Sequence, residues 1–506
     1  MKIFNSETIK GIDKATCEAQ GISSLELMER AADAVACEII SLFLPSRRFV
    51  VVAGPGNNGG DALAVARRLM EQGYRHVEVF LFNVTGRLSD DCVAEREKLL
   101  QLEEVDFTEV TKTFAPPFLD STCVVVDGLF GSGLTRPLEG GFKGLARYIN
   151  ESGAYVISID VPSGLCGEWN GAAPRRDMVR ANLTLTFQLP RLSFFFEENA
   201  EVLGNWKLLD IELDKATIKK IPSEFMLIEK RSVRPLLRPR EPFTGKRDYG
   251  SALLFAGSLG MMGAAVLSAR SVLKCGAGLV TVHTAKCGMP VLQTAVPEAM
   301  YEPDRNEKVI GDMPVHHAHS VVAVGPGIGT NDMTVTALET LLKTVHAPLV
   351  LDADALNCLA KRPALLQMLP AKSVLTPHIG EFDRMFGEQP DSESRLRKAI
   401  EVAKYYNVVI VLKGHHTAIV RPTGTVYFNT TGNAGMATAG AGDVLTGVIA
   451  GFIAQGYMPE HAATIGVFIH GLAGDIAAEE LGEYGMTAGD IADRLGRAIR
   501  DVTTNS

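Results

Sequence analysis

Two kinds of apolar pattern alternate along the first half of the chain. Apolar residues recur at helical spacing between residues 7 and 45, as in Leu27, Ala31 and Val35, which predicts helices there. Short, uninterrupted apolar runs predict buried strands at residues 49–53, 77–82, 123–127 and 155–160, and a further helix is predicted over 61–70. Buried strands that alternate with helices indicate a parallel sheet covered on both faces.

The same alternation begins again after residue 247. Strands are predicted at 251–256, 321–324, 348–351, 373–375 and 408–412, with a helix over 264–274. Between the two halves, residues 214–247 are rich in lysine, arginine and proline, which favours a solvated connector. The fold class is therefore α/β with two domains, which the length of 506 residues also favours.

Composition narrows the class of protein. Hydrophobic residues make up 46% and charged residues 22%, as in a soluble globular protein, and the net charge of −9 argues against general nucleic-acid binding. No apolar run reaches the roughly 18 residues of a membrane span, and the N-terminus lacks the apolar core of a signal peptide. Eight scattered cysteines are typical of reduced thiols. We therefore expect a cytoplasmic protein with no membrane and no nucleic-acid partner.

A histidine-rich segment, His316-His317-Ala318-His319, has two interpretations. Several imidazoles in a row can bind a metal ion. The segment also directly precedes the predicted strand 321–324, and a plain loop is the interpretation we favour.

Residues 433–443, Asn-Ala-Gly-Met-Ala-Thr-Ala-Gly-Ala-Gly-Asp, suggest an anion site. Small residues expose backbone N–H groups, and the apolar run at 444–451 predicts a buried helix whose positive end adds to their field. Asp443 then stands beside a phosphate cradle, where a carboxylate suits the removal of a proton from a hydroxyl that attacks phosphorus.

Three strand ends in the first half also carry polar residues and glycine. Residues 54–61 read Gly-Pro-Gly-Asn-Asn-Gly-Gly-Asp, Asp127 precedes a second glycine turn, and Asp160 precedes Val161-Pro162-Ser163-Gly164. The first loop fits a phosphate or only a tight strand–helix connection, and it is neither a GxGxxG nor a Walker A pattern. Amide, carboxylate and hydroxyl oxygens at these ends suit a hard cation, and few carboxylates favour a monovalent one.

Three ordered motifs in the first half resemble the YjeF N-terminal family, the NAD(P)H-hydrate epimerases, which have a Rossmann-like three-layer sandwich fold. They are GPGNNGGDALAVARRL, VVVDGLFGSGLTRPL and SIDVPSGL. The resemblance covers about residues 1–213 and implies interconversion of the R and S epimers of hydrated NADH and NADPH (NADHX and NADPHX). It implies K⁺ ligands at Asn58, Asp127 and Ser163, and Asp160 as acid–base group. The implied substrate residues are Asn57, Asn58, Gly59, Gly60, Asp61, Gly131, Ser132, Gly133, Leu134, Thr135, Arg136, Pro137 and Asp160.

Motifs in the second half resemble the ribokinase-like, ADP-dependent NAD(P)H-hydrate dehydratases. They are GSLGMMGAAVLSA, VGPGIG, LDADALN, TPHIGEF, VVIVLKGHHT and NAGMATAGAGDVLTG. The resemblance implies a dehydratase domain over 241–506 after a connector at 214–240, with Mg²⁺ and ADP, yielding AMP. The implied contacts with the hydrated nucleotide are Ala264, Gly327, His378 and Asp443, and those with the adenine nucleotide are Lys413, Gly414, His415, His416, Thr417 and Gly442. The family also implies a homo-oligomer, a tetramer or larger.

Several of these residues have plainer interpretations. Lys413 also fits an ordinary lysine at a strand end, and His378 also fits a structural histidine. Glu381 fits either magnesium or a helix cap, and Asp352 and Asp354 fit either ligands or turn formers.

Two rival functions use the same motifs. The first is a ribokinase-like kinase for a small hydroxylated metabolite, and the second is an N-terminal binding or scaffold module without activity. Against them we expect repair: Asp443 deprotonates the 6-hydroxyl of the hydrated ring, the oxygen attacks the terminal phosphate, and the phosphate then leaves.

Overall fold

The computed structural model describes residues 1–171, 173–316 and 319–504. The chain divides into two compact units, one of residues 2–223 with 391–393 and one of Met1 with 224–390 and the chain from 394 onward. Among the described residues no helix is both long and apolar enough to cross a membrane.

The first unit contains a fully parallel sheet. Its helices are α1 (Ser6–Gln20), α2 (Ser24–Leu42), α3 (Asn57–Glu71), α4 (Asp90–Leu99), α5 (Gly140–Glu151), α6 (Ala200–Leu203) and α7 (Lys215–Lys220). Its strands are β1 (Lys2–Ile3), β2 (Arg48–Ala53), β3 (Val77–Phe82), β4 (Asp106–Val110), β5 (Cys123–Gly128), β6 (Tyr155–Ile159), β7 (Leu183–Phe187) and β8 (Asn205–Leu209). The sheet order is β4-β3-β2-β5-β6-β7-β8.

Alternate residues of β2 enter two separate cores. Phe49 and Val51 pack with α2 and α3, whereas Val50 and Val52 pack with α5 on the other face. This is the alternation that a strand buried on both sides requires, and it confirms the predicted three-layer sandwich.

The second unit also contains a mostly parallel sheet. Its helices are α8 (Lys230–Val233), α9 (Met262–Lys274), α10 (Met289–Ala295), α11 (Asp332–Thr344), α12 (Asp354–Lys361), α13 (Ile379–Phe386), α14 (Ser392–Tyr406), α15 (Ala441–Ala454), α16 (Pro459–Leu481) and α17 (Ala488–Thr503). Its strands are β9 (Phe225–Leu227), β10 (Ser251–Phe255), β11 (Leu279–Thr284), β12 (Met300–Pro303), β13 (Val321–Val324), β14 (Leu349–Leu351), β15 (Val374–Leu375), β16 (Val409–Leu412), β17 (Ala418–Val420) and β18 (Val426–Phe428). They run in the order β9-β18-β17-β16-β15-β14-β13-β10-β11-β12, and β17 alone among these described pairs is antiparallel to its neighbours.

Helix α15 lies in the centre of the second unit's core. It is buried from Val444 to Ala454 and packs with α9, α16 and α17. A β-carbon at Gly447 would lie 2.2 Å from the carbonyl oxygen of Ser268, so glycine permits the close approach of α15 to α9. The predicted buried helix after Asp443 is therefore confirmed.

The structure differs from the predicted elements in several respects. Helix α3 begins at Asn57 rather than Asp61, so the second half of the first glycine loop is helical. Edge strands such as β4, with exposed polar residues, carry too weak an apolar pattern for prediction. Within the expected connector at 214–240 the chain forms α7, β9 and α8, and β9 pairs with β18. The exact functional boundaries of the two domains stay a prediction.

Candidate active sites at the carboxyl ends of two parallel sheets

The polar strand ends of the first unit meet where the strand order reverses. Strands β2 and β5 are neighbours although α3, β3 and β4 lie between them in sequence, and such a switch point opens a crevice beyond the carboxyl ends. A β-carbon at Gly54 would lie 1.8 Å from the carbonyl oxygen of Leu129. Glycine at this position therefore lets the two loops touch.

Asp127 is fully buried at the end of β5. Its carboxylate accepts hydrogen bonds from Ser163 Oγ (2.6 Å), Ser163 N (2.9 Å) and Ser158 Oγ (2.8 Å). Burial raises the pKa of Asp127, and these hydrogen bonds oppose the shift. Asn58, also buried, is satisfied when its amide donates to Ile159 O and accepts from Gly131 N, each at 3.3 Å.

Asp160 forms a buried ion pair directly after β6. Arg191 donates to Asp160 Oδ1 from Nη2 (2.6 Å) and Nε (3.0 Å), and the backbone N–H of Ser132 donates to Oδ2 (2.8 Å). Asp160 has φ +65°, an uncommon conformation that occurs at functional positions. Burial acts to raise the pKa of Asp160, but the Arg191 charge and the Ser132 hydrogen bond outweigh it, so the pKa is lowered. Asp160 is therefore an ionised carboxylate.

These strand ends line one cavity of about 470 Å³. Of the predicted residues it is lined by Asn57, Asn58, Asp61, Gly131, Ser132, Gly133, Leu134 and Asp160. Thr135 lines an adjoining cavity of about 400 Å³, and Arg136 and Pro137 line one of about 230 Å³. Gly59 and Gly60 are buried in α3, where a β-carbon at Gly59 would lie 1.7 Å from Gly54 O.

The lining of the main cavity also contains residues that are not among the predicted ones, and these include Lys10, Asp13, Phe187 and Arg191. Lys10 and Asp13 belong to α1, which looks like any amphipathic helix in the sequence, and Arg191 lies outside the motifs. Arg191 lies four residues after the end of β7, and this position near a strand end is the only signal that could have revealed it. Burial raises the pKa of Asp13 to about 6 and, with neighbouring carboxylates, raises that of Asp61 well above its usual range.

In the second unit, Lys413 joins two strand ends through its side chain. It follows β16, and its Nζ lies 2.8 Å from Asp352 Oδ1 and 3.8 Å from Glu381 Oε2. Asp352, which follows β14, also accepts a hydrogen bond from Thr446 Oγ1 of α15 (2.7 Å). Burial acts to lower the pKa of Lys413, but the two carboxylates outweigh it and the pKa is raised. The lysine is a fixed cation at the edge of the sheet.

Asp443 lies in the first turn of α15, next to this lysine. Burial and the charge of Asp352 raise its pKa to about 6, against the opposing effect of Lys413. Gly440 precedes the helix with φ +90°, and among the described residues no side chain caps the N-terminus. A β-carbon at Gly442 would lie 3.4 Å from Lys413 Nζ, so backbone, cation and carboxylate meet closely here. First-turn N–H groups of this kind can bind an anion.

The remaining predicted residues of the second half occupy neighbouring loops. Gly327 has φ +66°, and its β-carbon would lie 3.1 Å from that of Ala264, near the switch point between β10 and β13. His378 caps α13: its Nδ1 accepts from Glu381 N (3.3 Å), and Glu381 Oε2 accepts from His378 N (2.9 Å). The helix-cap interpretation of Glu381 is thus observed.

The predicted nucleotide loop is a compact turn before β17. Gly414 and Thr417 hydrogen-bond each other across it, from Thr417 Oγ1 to Gly414 O (3.0 Å). His415 and His416 pack ring against ring, and burial, followed by the charge of His415, lowers the pKa of His416 to about 4.

The histidine-rich segment is described only in part. His317 lies outside the described residues, and His316 approaches Glu302 at 3.6 Å. No group of three or more histidine, cysteine, aspartate or glutamate side chains in the described part of the chain is placed to hold a metal ion.

Fold and sites together define a two-unit α/β enzyme with a buried or half-buried carboxylate, Asp160 or Asp443, at the carboxyl edge of each sheet. Residues 24–193 match the family described as YjeF-related protein N-terminus, and residues 252–497 match NAD(P)H-hydrate dehydratase. The chain is 38% identical to a bifunctional NAD(P)H-hydrate repair enzyme of Thermofilum pendens over 99% of this chain and 96% of that one. It is 35% identical to its counterpart in Coxiella burnetii, over 97% and 98%.

The chain therefore belongs to the family of bifunctional NAD(P)H-hydrate repair enzymes, which confirms the resemblance found in both halves. A solved structure of ADP/ATP-dependent NAD(P)H-hydrate dehydratase from Bacillus subtilis, co-crystallised with ATP and Mg²⁺, is similar to it with a TM-score of 0.50 and 32% identity. The match covers 55% of this chain and 98% of that one, and it confirms the ribokinase-like fold of the second unit.

Proposed function

We propose that this chain repairs hydrated nicotinamide nucleotides with two activities. The first unit interconverts the R and S epimers of NADHX and NADPHX. The second dehydrates the S epimers to NADH and NADPH and converts ADP to AMP and phosphate. The observation that carries the proposal is Asp443 beside Lys413 at an uncapped helix N-terminus, supported by the full-length relatives named as repair enzymes.

Asp443 is the base of the dehydration. It removes the proton of the 6-hydroxyl, whose oxygen attacks the terminal phosphorus of ADP and releases AMP. The first-turn N–H groups of α15 and Lys413 hold the phosphoryl charge. The ring nitrogen then expels phosphate from C6, and loss of a proton from C5 restores the dihydropyridine.

Mg²⁺ fits this site as a companion of the nucleotide. The protein offers two carboxylates here, since Asp352 and Glu381 lie 2.8 and 3.8 Å from Lys413 Nζ, and the phosphates of the nucleotide would supply further oxygens to the ion. Asp352 and Glu381 are the residues that would hold the ion. When bound, Mg²⁺ supplies positive charge to the phosphates. The predicted contacts of Ala264, Gly327, His378, Gly414, His415, His416, Thr417 and Gly442 with the two nucleotides are part of this proposal.

K⁺ fits the first unit at Asn58, Asp127 and Ser163. Asp127 is a buried carboxylate whose described hydrogen-bond donors are all neutral, so a monovalent cation would balance its charge. When bound, K⁺ supplies a fixed charge between the strand-end loops. Asp160 is the acid–base group of the epimerase site.

A homo-oligomer, a tetramer or larger, is also part of the proposed function.

Assays on separated epimers test both activities in the full chain. Dehydration of the S epimer, followed by dihydronicotinamide absorbance, is expected with ADP and is compared with ATP. Asp443→Asn should lower it about 10²–10⁴-fold, whereas Asp332→Asn, which removes an exposed first-turn aspartate of α11, should not. Asp160→Asn should abolish epimerisation and leave dehydration of the S epimer unchanged.

Two results would contradict the proposal. If the dehydration rate of Asp443→Asn is within tenfold of the wild-type rate, Asp443 is not the base of the reaction. Phosphorylation of a small alcohol, without turnover of either hydrate, would favour the metabolite kinase instead.

A further inference from the structure

Helix α1 forms one wall of the first unit's cavity, although it lies outside the three motifs of the first half of the sequence. Its Ser6 Oγ donates to Ser132 O (2.8 Å), and Ser132 N in turn donates to Asp160 Oδ2 (2.8 Å). Ser132 thus ties the helix to the loop that holds Asp160. Lys10 of α1 also reaches this loop, where a β-carbon at Gly133 would lie 3.4 Å from its Nζ. The side chains that α1 directs into the cavity are therefore held in fixed positions relative to Asp160.

The cavity is lined by more acidic than basic side chains, and only one of the acids, Asp160, is paired with a basic side chain among the described residues. The charged lining residues are Lys10, Asp13, Asp61, Asp160 and Arg191. Arg191 donates both of its described hydrogen bonds to Asp160. Within the described ranges, neither Asp13 nor Asp61 forms a hydrogen bond or ion pair through its carboxyl group. Three acids share one cavity with two cations, so they do not all ionise together.

Inversion at C6 by loss and return of the oxygen is served by two carboxyl groups in different protonation states. As the oxygen leaves one face and returns on the other, one group donates a proton and another accepts one. Asp160, paired with Arg191, is the ionised group. Asp13 lies on a different element from Asp160 and lines both the main cavity and an adjoining one of about 380 Å³.

We propose that Asp13 is a second catalytic residue of the epimerase site. The inference rests on the proposed epimerase function. Asp13 protonates the 6-hydroxyl oxygen, and the C6–O bond breaks as the lone pair of N1 forms a C6=N1 double bond and water leaves. Water then adds to the other face of C6, its proton passes to Asp160, and the electron pair returns to N1. In the reverse direction the same steps run backwards from protonated Asp160 and ionised Asp13. After each turnover, exchange of one proton with bulk water at each carboxyl group restores protonated Asp13 and ionised Asp160.

Asp13 suits this cycle better than Asp61 does. A group with a pKa of about 6 both gives and takes a proton near neutral pH. Burial and four neighbouring carboxylates raise the pKa of Asp61 well above its usual range, so Asp61 gives up its proton less readily. The charged and titratable groups that face Asp13 from the surrounding elements are Lys10, Lys14, Cys17, Asp61, Asp91, Asp160 and Arg191.

The experiment uses Asp13→Asn in the full chain, with Glu18→Gln as the matched control. Glu18 is an exposed acid of the same helix that lies outside these cavities. Asp13→Asn should lower kcat for epimerisation at least 100-fold in both directions, with KM within threefold of wild type. Asp13→Glu should restore part of the rate. Dehydration of the S epimer by the second unit should stay unchanged. The denaturation midpoint of the first unit, followed by the fluorescence of Trp169 and Trp206, should match that of the wild type, which reports that the unit holding Asp13 is folded.

Isotope incorporation separates the possible outcomes. In H₂¹⁸O the wild type should place one ¹⁸O at C6 for each inversion, because water leaves and returns. Inversion without ¹⁸O, or an Asp13→Asn variant within fivefold of wild type, overturns the role of Asp13. So does a loss that appears only in KM. A wild-type chain that epimerises neither hydrate would instead refute the proposed function itself.

Discussion

Removal of Arg191 should destabilise the first unit because it leaves a charge buried without a partner. The guanidinium makes hydrogen bonds of 2.6 and 3.0 Å to Asp160. The relative exposure is 4% for Arg191 and 8% for Asp160. Breaking such a pair on one side costs about 3–5 kcal/mol, more than most single substitutions. We therefore expect Arg191→Met to lower the free energy of unfolding of this unit by about that amount at pH 7.

A second substitution should recover much of the loss. In Arg191→Met/Asp160→Asn no charge remains to be buried, and asparagine tolerates the φ of +65° that Asp160 adopts. The two single variants each strand one charged group, so their costs should exceed that of the double variant. We expect a coupling energy on the order of 2–3 kcal/mol in the double-mutant cycle.

The pH dependence of the Arg191→Met penalty has a defined sign. In the wild type the pKa of Asp160 is lowered on folding, so its stabilisation is present above the unfolded pKa and is lost as the pH falls through the folded value. Without Arg191, burial raises the folded pKa above the unfolded one. The variant then gains stability relative to the wild type as the pH falls from 7 through that raised pKa, because Asp160 takes up a proton.

Tryptophan fluorescence measures this unit alone. Both tryptophans of the chain, Trp169 and Trp206, lie in residues 2–223. Denaturant titrations of the wild type, the two single variants and the double variant at pH 7 and pH 5 give the cycle. Costs that add to within about 0.5 kcal/mol, or an Arg191→Met penalty below about 1 kcal/mol, would refute the reasoning.

Three further predictions concern the second unit. Because the pKa of Asp443 is about 6, kcat/KM for dehydration should fall tenfold per pH unit well below pH 6, and a flat profile down to pH 5 would contradict its role as base. Asp352→Asn should move the acidic fall of this pH profile to lower pH, because it removes a negative charge that raises the pKa of Asp443. An unchanged profile would argue against an effect of Asp352 on the pKa of Asp443. Gly447→Ala should separate α15 from α9 and lower the thermal midpoint of dehydratase inactivation by several degrees. Gly489→Ala serves as its control, because the added β-carbon would meet nothing closer than 3.7 Å.

The two α/β domains and the candidate carboxylates Asp160 and Asp443 could be predicted because their signals are local. A short uninterrupted apolar run such as 49–53 favours a buried strand, and small residues before Asp443 expose the backbone. The edge strands were missed because their side chains are exposed on one side, as in β4, and the apolar pattern fades there.

The sequence by itself determined two α/β domains, the position of α15 and the carboxylates Asp160 and Asp443. Only the tertiary structure decided which groups set their charges. Arg191 lies 31 residues from Asp160, and Lys413 lies 61 residues from Asp352, so no local pattern links either pair. Ion pairs of this kind form because a parallel sheet brings the carboxyl ends of strands that are distant in sequence to one edge. The pKa of each acid then depends on the neighbouring charges and on burial.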